Sequence, residues 1–187
     1  MALFNLTTNG NQFLNYSAST DTWLVGKTEV QISYVAFDIS SLQTGWGNIQ
    51  SGQPPHWVLD PKLGEPAPQP TSEYRRGFQI TVWIRGYDWV QWSSVASGST
   101  KGFEEIANKI WEQKDDHPGQ LPILQYKGSR PIKIGKGSTR VPMFDLIGWA
   151  KKSEIPEFIQ SLSGHQAPLS LVKVEEAAPE PENDINF

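Results

Sequence analysis

A mainly β fold, closed by one or two helices and followed by a disordered acidic tail, is what this chain of 187 residues predicts. Three patterns carry that expectation. Phe78, Ile80, Val82 and Ile84 alternate with Gln79, Thr81, Trp83 and Arg85, the two-residue period of a strand with one buried face. A helical period is clear over residues 101–114, where Phe103, Ile106, Ala107, Ile110 and Trp111 share a stripe, and again over 155–162. The last thirteen residues, EEAAPEPENDINF, hold five acids, two prolines and no base, so they can neither build a core nor propagate a helix.

The length suits one core of ordinary size carrying a tail, giving a domain over 1–174 and a tail over 175–187. Cys is absent, which excludes disulfides and thiolate metal sites and allows a reducing compartment. No apolar run approaches a membrane span, and the N-terminal MALFNLTTNG lacks the basic start and apolar stretch of a signal peptide, so the expectation is a cytoplasmic protein with no membrane partner. The formal charge of -4 is unevenly placed. Residues 1–174 carry all 16 Lys and Arg against 15 acids, a net +1, and the tail supplies the other five acids. A near-neutral body with local basic patches can hold such a tail until a polyanion displaces it.

In chain order, residues 1–21 are polar, with Phe4, Leu6, Phe13 and Leu14 as anchors, and a β pattern begins at Thr22. Apolar residues alternate as Val30, Ile32 and Tyr34 and then change phase to Val35, Phe37 and Ile39, which fits either a bulge that coils a sheet or a strand buried on both faces. Residues 45–73 hold six Pro and four Gly with Trp46 and Trp57, and read as a long loop. It is either a flap that lays a ring on a ligand or a loop pinned to the sheet by those rings. The 101–114 helix, capped by Ser99 or Thr100, places Trp111 in the core. Asp115, Asp116 and His117 mark its stop rather than a metal site. Two or three strands follow over 121–127, 130–135 and 139–149. Ser153 caps a last helix with Ile155, Phe158, Ile159 and Leu162 on one side, Pro156 in its first turn and Gly164 at its end; residues 165–174 then add an edge strand.

Two regions have the composition of a single-stranded nucleic-acid surface. The non-core face of 78–92 presents Trp83, Arg85, Tyr87 and Trp89, with Arg75 and Arg76 just upstream, so flat rings for unpaired bases sit among cations for phosphates. The alternative is that Trp83 or Trp89 lies under a helix or in a subunit interface. Residues 127–152 carry Lys127, Arg130, Lys133, Lys136, Arg140, Lys151 and Lys152 against Asp145 alone, a net +6. Gly128, Gly135 and Gly137 set several of these bases on hairpin tips. KIGKGSTR is no phosphate-binding P-loop, lacking the first Gly and the helix that should follow. It reads as a basic hairpin gripping phosphates without regard to sequence, or as solvated charge on a sheet edge.

The chain ends Asn183, Asp184, Ile185, Asn186, Phe187, an acidic run before two exposed apolar side chains. This ending resembles the acidic tip of bacterial and phage single-stranded DNA-binding proteins, although the bacterial pattern has Pro at the place of Asn186 and a denser Asp run. The resemblance covers about a dozen residues of 187. It implies that Asp184, Ile185 and Phe187 capture replication and repair partners, and that the setting is phage or mobile-element DNA replication, recombination or repair. Together these features lead to an expectation of a Greek-key barrel of the oligonucleotide-binding (OB) type that binds single-stranded DNA, with a homo-oligomer compatible with the sequence. The runner-up is a β-rich carbohydrate-binding or virion structural module, since exposed rings stack on sugars as well. Three His without ligand spacing, and no nucleophile motif, give no catalytic constellation, cofactor site or metal site.

Overall fold

The computed structural model describes residues 12–50 and 52–164. The edge strand expected over 165–174 and the tail, with Asp184, Ile185 and Phe187, lie outside the described residues. Alternating segments give nine strands: β1 (Phe13–Ser17), β2 (Thr22–Val25), β3 (Thr28–Val30), β4 (Tyr34–Asn48), β5 (His56–Leu59), β6 (Arg75–Ile84), β7 (Asp88–Ser94), β8 (Leu121–Ile134) and β9 (Gly137–Ala150). Helix α1 (Ser97–Gln113) separates β7 from β8, and α2 (Ile155–Ser163) follows β9. The strands make one sheet in the order β3-β2-β1-β7-β6-β4-β8-β9, with β5 also on β4. Every pairing is antiparallel except that of β1 with β7. Among the described residues no helix is long and apolar enough to cross a membrane.

The sheet curls into a half-barrel. Trp23 on β2 meets Tyr126 on β8 and Phe144 on β9 at ring-centroid distances of 5.6 and 6.0 Å, although β2 and β9 stand near opposite ends of the strand order. Inside the curl, Phe78, Ile80, Val82 and Ile84 are buried as their alternation requires, together with Leu14, Phe37 and Trp92. Helix α1 fills the concave side with Phe103, Ile106 and Ile110, and Phe103 stacks on Phe78 at 4.0 Å. The convex side is covered by α2, whose Ile155 and Ile159 sit on Ala36, Trp83 and Ile123.

Several boundaries differ from the sequence reading. The phase change after Tyr34 lies inside β4, whose start is buried on both faces, with Val35 and Phe37 in the concave core and Ala36 and Tyr34 on the α2 side. The bulge comes later in β4. There Ile39, Ser40, Ser41 and Leu42 stand between the Asp38–Thr81 and Gln43–Gln79 pairs. Ser41 Oγ repairs the ladder by donating to the Asp38 carbonyl at 2.6 Å and accepting from the Thr81 N–H at 2.8 Å. The bulge turns β4 so that β8 pairs with its first residues and β5 with its last. The segments 121–127 and 130–135 are one strand with a bulge around Gly128, whose φ is +83°. Residues 13–17, to which the sequence assigned only anchors, form β1; Leu14 is fully buried as an anchor should be, whereas Phe13 is exposed.

Helix α1 begins at Ser97, four residues before the periodic stripe, and neither Ser99 nor Thr100 caps it. Ser99 is buried instead, and Thr100 bonds back to the carbonyls of Ala96 and Ser97. The reason is a close approach to β9. A Cβ on Gly98 would lie 2.0 Å from the Arg140 carbonyl oxygen, and one on Gly102 2.3 Å from that of Pro142. Packing therefore draws a Ser/Gly stretch of weak helix propensity into the helix. That placement also turns Trp111 outward, where it is 37% exposed rather than core. The last helix keeps its apolar stripe, with Pro156 in the first turn and Gly164 at the C-cap, but Ser153 does not cap it. Ser153 lies in the short 3-10 turn over Lys152–Glu154, and Glu154 takes the N-cap position.

Gly98→Ala should destabilise the fold by about 1–3 kcal/mol through overpacking against the β9 carbonyl. Gly137→Ala, whose new Cβ meets nothing closer than 3.8 Å, should stay within about 0.5 kcal/mol of wild type. Urea titration of both variants separates the close-packed α1–β9 contact from the open hairpin tip.

Candidate functional site

The rings expected on the free face of β6 are not brought together. Trp83 is 6% exposed beneath α2, because that helix has an apolar stripe to bury and a large indole directly under it. Trp89, opposite Trp83 in the β6–β7 register, is half-buried beside the same cluster, and Lys152 Nζ lies 4.6 Å from the centroid of its ring. Tyr87 leaves the phase altogether. Gly86 at φ +85° and Asp88 at φ +55° make the turn between β6 and β7, and Tyr87 packs against the concave-side core. Arg85 is exposed at that turn.

Arg75 and Arg76 start β6 but have different surroundings. Arg75 is exposed along a small cleft that also takes in Glu73 and Asn48. Arg76 grips Asp60 with both terminal nitrogens at 2.7 and 2.6 Å and lies 5.3 Å from the centroid of the Trp46 ring. Asp60 is sealed, its side chain 2% exposed. It also accepts from the Thr44 hydroxyl and from the Ala67 N–H, while Trp46 Nε1 donates to the Ala67 carbonyl at 2.7 Å. The Arg76 hydrogen bonds, supported by those of Thr44 and Ala67, hold the Asp60 carboxyl well below the usual carboxylate range. The Pro-rich segment after β5 is thus a strap pinned to the sheet through Trp46, and Arg76 is committed to the pin.

The cations of β8 and β9 divide in the same way. Arg130 pairs with Glu105 of α1 at 2.5 Å. Arg140 donates to Ser129 Oγ at 2.7 Å and stands 3.2 Å from Asp21 in the turn between β1 and β2. Asp21 further accepts from Tyr16 and Ser129, at 2.7 and 2.6 Å, so this cluster ties the first hairpin to the last across the mouth of the curl. Those hydrogen bonds, Ser129's first, hold the Asp21 carboxyl below its ordinary value, and burial pushes the Tyr16 hydroxyl up to about 12. Lys127, Lys133 and Lys136 have no acidic partner among the described residues, and all three are exposed.

The end of this hairpin stands clear of the sheet. β4 pairs β8 only through residues 123–125, and α1 meets β9 at the Arg140 and Pro142 carbonyls. Beyond that point every residue from Lys133 to Ser138 is exposed. Gly135, at φ +57°, supplies the positive φ that the first central position of a tight two-residue hairpin turn requires.

Two concave sites lie elsewhere. A groove of about 670 Å³ runs between α1 and the β4–β6 bend, with Leu42, Leu63, Phe78, Ala107 and Trp111 as its apolar lining and Arg76, Glu104 and Asn108 at its edge. Sequence periodicity hides it, because Trp111 belongs to the helical stripe that reads as core. A smaller pocket sits by the bulge, where Ser40 and Lys152 hold Asp38 and His117 stacks on Trp149 at 4.7 Å. Burial raises the Asp38 pKa, but the Ser40 and Lys152 hydrogen bonds outweigh it and the net direction is down. Lys152 is thereby shared between Asp38 and the Trp89 ring and ties the start of α2 to the sheet.

Since Asp21, Asp38 and Asp60 all have depressed carboxyl pKa values, their stabilisation is present above the unfolded value near about pH 4 and fades as pH falls below it. Asp60→Asn should cost about 2 kcal/mol, less than a fully buried pair because Arg76 is partly in water, and should flatten the acid limb of a stability–pH curve. Hydrogen exchange in the variant should speed up over 61–74 first. Comparison with protein-family models, with curated proteins and with solved structures finds no match for this chain.

Proposed function

We propose that this protein binds single-stranded DNA without regard to sequence, and that it does so through the β8–β9 hairpin rather than through rings on β6. The observation that carries this reading is the division among the hairpin's cations. Arg130 and Arg140 are neutralised in building the fold, whereas Lys133 and Lys136 stay exposed and unpaired on the tip that projects from the body, and Lys127 is exposed and unpaired at the bulge nearer the sheet. Free cations on a projecting arm attract a polyphosphate chain through counterion release, a term indifferent to base sequence. Trp89 and Arg85 add a half-exposed ring and a charge on the convex side. In this reading the curled sheet serves as an OB-type barrel does, as a rigid platform that aims a β hairpin at a strand. The five acids of residues 175–187 compete for the same lysines, and Asp184, Ile185 and Phe187 recruit replication, recombination or repair proteins, as the resemblance of that ending implies.

The Trp111 groove favours a second reading, glycan binding, because an exposed indole beside Arg76, Glu104 and Asn108 is suited to a sugar ring. Quenching of Trp fluorescence by oligosaccharides but not by oligo-dT would move the assignment there.

Replacing Lys127, Lys133 and Lys136 together by Ala should weaken oligo-dT binding about tenfold or more at low salt and flatten the log–log salt slope by about 2, at roughly 0.7 per phosphate lost. Wild-type binding that ignores salt, or that favours duplex over single strand, would overturn the proposal. Removing residues 175–187 should tighten binding at low salt and leave it unchanged at high salt, where the tail is screened.

A further inference from the structure

The tip of the β8–β9 hairpin has two chemically different faces. Cross-strand partners share a face, so Ile132 with Thr139 and Ile134 with Gly137 lie on one side, while Lys133 with Ser138 lies on the other. Ile134 is 44% exposed, and its partner Gly137 has no side chain to cover it. Lys133 precedes it and Lys136 sits in the turn just beyond, both exposed. An isolated surface isoleucine needs no explanation, but this one is held at the end of a projecting arm between two unpaired cations, opposite a glycine.

We infer that Ile134 is a wedge that enters between neighbouring bases of the bound strand while Lys133 and Lys136 hold the phosphates on either side. This rests on the single-strand reading above and adds to it a mode of engagement. Apolar side chains inserted between base steps unstack them, and proteins that do so flank the wedge with cations that fix the backbone. A narrow two-stranded arm can reach between bases where a flat sheet face cannot. The same lysines and isoleucines would also approach an anionic bilayer, but two isoleucines offer it far less apolar surface than membrane-seated helices bury. Charge complementarity to a flexible polyphosphate with apolar base faces therefore favours nucleic acid.

The test uses the full chain and an adenine-rich single strand carrying 2-aminopurine, whose fluorescence rises when its neighbours unstack. Wild type should raise that signal about twofold or more. Ile134→Ser should abolish the rise while keeping affinity within about threefold, and Lys133→Ala with Lys136→Ala should lose affinity itself. A wild-type complex that forms with the expected salt dependence but leaves the fluorescence flat overturns the wedge and spares the single-strand reading. So does an Ile134→Ser protein that still gives the full rise. If wild type binds no oligonucleotide, both fall together. Binding to vesicles of anionic lipid that Ile134→Ser removes, without 2-aminopurine enhancement, assigns the tip to membranes and also overturns the wedge.

Discussion

A curled sheet that stops short of closing must have its concave face sealed, and here that depends on how closely α1 can approach β9. The two glycines facing the Arg140 and Pro142 carbonyls bring the helix backbone to a distance that no Cβ would permit. Only at that distance can Phe103 stack on Phe78 and reach Phe37, joining the helix to the aromatic cluster that also holds Trp23, Trp92 and Phe144. Buried aromatic surface of this extent stabilises the fold through both area and ring geometry, and that geometry leaves little room for adjustment. The position of β9, and with it the direction in which the last hairpin leaves the body, follows from this contact.

Polar interactions then fasten the parts that apolar packing does not reach. Three carboxylates do this at three places: Asp21 across the mouth, Asp38 between the β4 bulge and the start of α2, and Asp60 under the Pro-rich strap. Each sits among two or more donors, which is why each is held ionised. In the same way these pins consume Arg76, Arg140 and Lys152, cations that composition alone would assign to a ligand. The described cations left without an ion pair are spread over the surface, at Lys27, Arg75, Arg85, Lys101, Lys127 and Lys151, and two more, Lys133 and Lys136, stand on the projecting tip of the last hairpin. A charge that stabilises the fold and a charge that meets a partner are indistinguishable by residue type and differ only in what lies within hydrogen-bonding reach.

Legible in the order of residues alone were the β-rich class, the inward set of β6, the buried stripes of both helices apart from Trp111, and the stop signals at Gly164 and after residue 113. These depend on side-chain period and on local backbone preference, which act over a few residues and are written in the order of the chain. The remainder was set by packing. Trp83 was alternating correctly on the non-core face, yet a helix from seventy residues downstream covers that face. Tyr87 lost its phase to a turn with two positive φ values, and the start of α1 was set by strand carbonyls rather than by a cap. Which cations are spent and which are free, and which rings remain in contact with water, depend on contacts between residues far apart in sequence, such as Asp21 with Arg140 or Asp38 with Lys152. Such contacts exist only once the sheet has curled, so no local pattern can encode them.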